Sequence, residues 1–100
     1  MNPFDLLKNM DQIKKQAEDM QSKMATLHCT GYACGNLIEA VANGNMEIET
    51  LKIDSSLLKE ENKEMVEVLV ISAINTAIKN VQERIKTETS SLMSKYGVNP

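Results

Sequence analysis

One hundred residues with 42% hydrophobic side chains, three aromatics (Phe4, Tyr32, Tyr96), no tryptophan and a formal charge of −3 describe a single small domain. Two cysteines are too few for a disulfide scaffold, the N-terminus carries Asp5 and no long apolar segment of a secretory signal, and the longest mostly apolar run (68–74) is too short to cross a bilayer. A soluble, cytoplasmic protein is expected, with Met, Leu, Ile, Val and Ala supplying a core small enough that oligomerisation is expected as well.

The first segment carries apolar residues at Leu6, Met10, Ile13, Ala17, Met20, Met24 and Leu27, spaced 4, 3, 4, 3, 4, 3. That is a heptad seam, and it predicts a long amphipathic helix over residues 1–27, with Asn2 as cap and Pro3 in the first turn. The narrow stripe suits one or two partner helices. It has two readings, packing against the C-terminal helix or a groove for another protein's helix.

The period changes over 28–54. "HCTGY" (28–32) reads as a first strand, with Gly31 and Gly35 flanking a turn, and "LIEAVA" (37–42) alternates as a second. Asn43-Gly44 predicts a type I′ hairpin turn, because both central residues of that turn need positive φ. In the return strand (45–54) Met46 and Ile48 share one phase and Leu51 and Ile53 the other, so a bulge is expected at Glu49-Thr50. The result is a three-stranded antiparallel meander. Its two free edges and open face need a cover or a second copy.

Residues 55–61 are a connector, with Leu57-Leu58 expected to tuck under the sheet. A second long helix is expected over 62–96. Its first half is apolar around most of its circumference and is expected to be buried on several sides. Its second half keeps only Val81, Ile85 and Leu92 on its stripe and should emerge into solvent, ending near Gly97 and Pro100. Both helices are expected to project as arms.

"LHCTGYACGN" (27–36) gathers the only histidine and both cysteines, which invites a metal or redox reading. One C-x4-C pair with no second Cys/His pair does not make a structural zinc site. His28 and Cys29, adjacent on a strand, point to opposite faces, so no thiol–imidazole pair forms there. A nucleophile-elbow, P-loop, dinucleotide or metalloprotease motif is missing from the sequence, so no enzyme activity, catalytic residue, metal or cofactor is expected.

The quoted stretches carry a family resemblance. "NPFDLLKNMDQIKKQAEDMQSKM" (2–24) is similar to the opening helix of the YbaB/EbfC nucleoid-associated proteins of bacteria. "TGYACGNLIEAVANG" (30–44) resembles their strand, Gly-rich turn and second strand. "IDSSLL" (53–58) resembles their I-D-P-S-L-L, with Ser55 where proline is usual. "KEMVEVLVISAINTAIKNVQE" (63–83) resembles their second helix, with about one extra residue in "KEEN". Four such stretches in order cover nearly the whole chain.

The resemblance implies a homodimer in which two three-stranded sheets join and the helices project as tweezer-like arms that contact double-stranded DNA in the nucleoid. The charge pattern sets where. Residues 29–60 carry a net −3, with Glu49-Thr50 where relatives often have basic residues, whereas 79–100 carry a net +2. The candidates are therefore the arm cations Lys8, Lys14, Lys15, Lys23, Lys79, Arg84, Lys86 and Lys95, which would meet phosphates and give salt-dependent binding. No membrane or small-molecule partner is expected. The fold expected is α+β, α-β-β-β-α, one domain over 1–100. The competing reading is a dimeric protein–protein adaptor or scaffold whose arms grip a protein; a ligand lying between the arms is a third.

Overall fold

The computed structural model describes residues 3–95, the side chain of Lys95 excepted. Helix α1 spans Pro3–Ala25, strands β1, β2 and β3 span His28–Ala33, Ile38–Asn43 and Ile48–Ile53, and helix α2 spans Lys63–Lys95. Two single 3-10 turns, Ser55–Leu57 and Glu60–Asn62, lead from the sheet into α2. This is the α-β-β-β-α order, with a sheet ordered β1-β2-β3 and both pairs antiparallel. The expected cap Asn2 and the expected tail at Tyr96, Gly97 and Pro100 lie outside the described residues.

The bulge falls where the apolar phase slips. Val41 faces Thr50 but Ala42 faces Ile48, so Glu49 is the extra residue of β3. The slip returns Ile48, Leu51 and Ile53 to one face, opposite Ala42, Ala40 and Ile38 respectively. That face carries Ala33, Ile38, Ala40 and Ala42, all buried, and α2 lays Ala73, Ala77 and Val81 across it. The small residues let helix and sheet approach closely. At Gly31, in the middle of β1, an added Cβ would lie 2.2 Å from Ala73 O and 2.4 Å from Ala77 N, so backbone meets backbone. Gly31 therefore sits within a strand and against a helix, not beside a turn.

The turns differ from the sequence expectation in which residues carry positive φ. In the β1–β2 loop Cys34 (φ 54°) and Gly35 (φ 66°) take the left-handed conformation. In the β2–β3 loop it is Met46 (φ 63°), and Gly44 does not, so Asn43-Gly44 is not a type I′ turn. The loop closes through Met46 N–H to Asn43 O (3.0 Å) and Asn43 N–H to Glu47 O (2.9 Å). The buried Asn43 side chain braces it, its Oδ1 accepting from the N–H groups of Asn45 (2.9 Å) and Glu47 (3.2 Å). Gly44 serves a tertiary need instead. A Cβ there would lie 1.7 Å from Met24 O, where α1 ends against the loop.

Asp54 caps the first 3-10 turn, accepting from the N–H (3.0 Å) and the hydroxyl of Ser56. Those bonds, the hydroxyl's foremost, hold its carboxyl below the ordinary value. Leu57 is buried as expected, but Leu58 is 63% exposed. The first half of α2 also departs from expectation: Met65, Val68 and Ile71 are exposed. A single chain offers one sheet to pack on, and α2 covers β1 and β2 of it, leaving Leu51 of β3 exposed on the same face.

The radius of gyration is 19.8 Å and the longest extent 71 Å, against about 13 Å for the radius of a compact chain of this length. The elongation comes from one arm. Lys23 of α1 meets Glu88 of α2, and Ile13, Ala17 and Met20 face Thr89, Leu92 and Met93, so the helices run antiparallel. They project together, not as two separate arms.

Candidate nucleic-acid interface

The arm is built by the heptad seam of α1 running along the far half of α2. Ile13, Gln16, Ala17 and Met20 with Thr89, Leu92 and Met93 line a shallow, mostly apolar groove of about 260 Å³. The intramolecular reading of the seam thus holds toward its end, where Met20, Met24 and Leu27 are part-buried, whereas Ile13 lines the groove yet stays 64% exposed. Toward the helix start Leu6 and Met10 remain about half to two-thirds exposed, and α1 has no buried residue.

With the apolar stripe turned toward α2, the lysines of α1 fall on the outside. Lys8, Lys14 and Lys15 are exposed, as are Lys79 and Lys86 of α2, which lie across the helix from the buried Ala73, Ala77 and Val81. None of these five forms an ion pair among the described residues. Lys23 and Arg84 differ. Lys23 Nζ lies 2.8 Å from Glu88 Oε2, and Arg84 Nε lies 3.3 Å from Glu88 Oε1. The Lys23 ammonium foremost, with Arg84 behind it, holds the Glu88 carboxyl below its ordinary value, against the opposing effect of its partial burial. Of the eight cations singled out by sequence, five are open, two are engaged, and Lys95 has its side chain outside the described residues.

Glu88 is the residue that the sequence reading passed over. Its signal was present: Val81, Ile85, Glu88 and Leu92 are spaced 4, 3, 4, so an acid occupies a seam position. A second polar centre sits where the arm joins the sheet. His28 Nδ1 is 2.9 Å from Thr26 O and its Nε2 is 3.0 Å from Glu49 Oε2, while Asn43 Nδ2 donates to Glu49 Oε1 (2.9 Å). The bulged residue of β3 thereby ties the start of β1 to the end of β2. Both cysteines are free thiols: Cys29 packs half-buried against the core and Cys34 is exposed in the turn.

A three-stranded sheet under one long helix, with a two-helix arm of mixed charge carried beyond the sheet, defines a small α+β arm-and-sheet protein. The YbaB/EbfC DNA-binding family matches residues 1–96, and the chain belongs to that family. It is 37% identical over 100 residues to a nucleoid-associated protein of Rickettsia bellii, covering 100% of this chain and 94% of that one. To a nucleoid-associated protein of Rickettsia rickettsii it is 36% identical with the same coverage. The crystal structure of an uncharacterized protein from Helicobacter pylori superposes with a TM-score of 0.75 at 29% identity, covering 93% of this chain and 98% of that one.

Proposed function

We propose that this protein is a nucleoid-associated, double-stranded DNA-binding protein of the bacterial cytoplasm, acting as a homodimer and meeting DNA phosphates through its arm. The observation that carries this reading is the set of open cations, Lys8, Lys14 and Lys15 on α1, Lys86 further along α2 and Lys79 on the outer side of α2 above the sheet, in a chain of a DNA-binding family. Flexible lysines that form no ion pair among the described residues suit sequence-tolerant phosphate contact. Lys23, Arg84 and Lys95 complete the candidate set; the first two are engaged with Glu88. Dimerisation is supported by apolar side chains that one chain leaves uncovered, Leu51, Leu58, Val68 and Ile71, at 42 to 66% exposure. A second copy that covers these side chains also doubles the cationic array.

Fluorescence anisotropy with a labelled duplex across a salt series tests the DNA reading. Affinity falls steeply with salt, and each phosphate contact removed flattens the log–log slope by about 0.9. Lys14→Ala/Lys15→Ala and Lys79→Ala/Lys86→Ala each weaken binding. Absence of binding at low salt refutes the reading and favours the adaptor, for which the exposed Leu6 and Met10 of the α1 stripe speak. Sedimentation at micromolar concentration tests the dimer; an 11.1 kDa species contradicts it.

A further inference from the structure

Glu88 occupies an unusual place. Its side chain is 16% exposed, on the α2 stripe that faces α1, between Ile85 and Leu92, where an aliphatic residue would pack. A carboxylate there gives up apolar burial. It faces one cation from each helix and offers each a different oxygen: Oε2 to Lys23 and Oε1 to Arg84. Both cations keep more than half of their own side-chain surface open, 52% and 58%. Two basic groups converging on the two oxygens of one anion form a cradle that a phosphodiester, with its two free oxygens, also fits.

We propose that Glu88 is an internal phosphate surrogate: it occupies the Lys23–Arg84 cradle and competes with DNA phosphate for both cations, setting the affinity of the arm below what its lysines and arginine would otherwise give. The inference rests on the DNA-binding reading. A cation that stays paired with a fixed carboxylate neutralises no phosphate and releases no condensed counterion from the DNA, so it adds little to the salt-dependent driving force. Releasing it restores that contribution.

Glu88→Gln removes the charge with little change in shape. Glu83→Gln makes the same change of net charge one turn earlier, at an exposed residue with no ion pair among the described residues. Anisotropy with the same labelled duplex compares both with the parent chain. The expected result is that Glu88→Gln tightens binding several-fold more than Glu83→Gln and steepens the log–log salt slope by about 0.9 for each cation released. Lys23→Ala then costs several-fold more affinity in the Glu88→Gln background than in the parent. If the parent binds but Glu88→Gln binds no tighter than Glu83→Gln, or Lys23→Ala costs the same in both backgrounds, the inference is overturned and the DNA reading stands. If none of the chains binds duplex at low salt, the DNA reading falls and takes the inference with it.

Discussion

Gly31→Ala puts the close approach of α2 to the sheet to the test. The new methyl would sit 2.2 Å from Ala73 O, 2.4 Å from Ala77 N and 3.0 Å from Thr76 Cβ. The first two are helix backbone atoms and cannot rotate aside. Restoring the 3.4 Å of ordinary contact from 2.2 Å needs a retreat of about 1.2 Å by α2 or β1. Ala73 and Ala77, fully buried, would then lose part of their contact with the sheet. Overpacking of this kind costs about 1–3 kcal/mol, and a backbone obstacle belongs at the upper end. The better strand propensity of alanine returns about 0.5–1 kcal/mol, leaving about 2 kcal/mol of destabilisation. Urea unfolding followed by far-UV circular dichroism, at fixed protein concentration, should show the midpoint falling by about 1–2 M for an m-value of 1–2 kcal/mol/M. Gly35→Ala supplies the contrast: it meets no atom within 4 Å, so only its φ of 66° is strained and the cost is about 1–2 kcal/mol. A Gly31→Ala midpoint equal to that of the parent chain would refute the close approach of helix and sheet.

Ser55→Pro should stabilise the chain by about 0.4–1 kcal/mol, read as a rise in thermal midpoint of several degrees. Ser55 opens a 3-10 turn, its N–H makes no backbone bond among those described, and Asp54 (φ −62°, ψ 137°) already has the extended conformation that precedes proline; a lower midpoint would contradict this. The Glu88 carboxyl, held low by Lys23 and then Arg84, contributes stability that is present above the ordinary glutamate value and is lost as pH falls through its lowered folded value. The stability difference between the parent chain and Glu88→Gln should therefore hold from neutral pH down to the ordinary glutamate range, shrink as pH falls through it, and close below the lowered folded value; closure already above pH 5 would refute the pairing. Replacing Cys29 and Cys34 together by alanine should leave DNA affinity unchanged by anisotropy, since both are free thiols on the sheet and its turn and neither is among the candidate contacts; a large loss in a folded variant would reopen a role for sulfur.

Much of the fold was legible because it is local. The heptad spacing of α1, the alternation of β2 and the phase slip before Leu51 each report a period of the backbone, and the bulge at Glu49 followed directly. What the sequence did not reveal is how distant segments meet. Asn43-Gly44 reads as a hairpin turn from its neighbours alone, yet Gly44 is required by Met24, twenty residues earlier, and Gly31 by Ala73 and Ala77, more than forty residues later. The candidate site divides in the same way. Residue type and charge run were enough to place cations on the helices. Which of them are open depends on the antiparallel pairing that sets residue 23 against residue 88, and no local pattern contains that register. The apolar first half of α2 suggests burial on several sides, but one chain covers only the face turned to the sheet.

Helix α2 continues without interruption from the sheet into the arm, which makes it a lever with its fulcrum at Gly31. Ala77, seated against that glycine, lies 18 residues before Lys95, about 27 Å along a helix that rises 1.5 Å per residue. A tilt of about 5° at the fulcrum swings the far end by about 2.4 Å. That distance is comparable to the difference between a direct phosphate contact and one bridged by water. On the proposed DNA reading, substitutions beneath the helix would thus retune the reach of the arm, and variation of small residues in the sheet would adjust grip without altering the fingers.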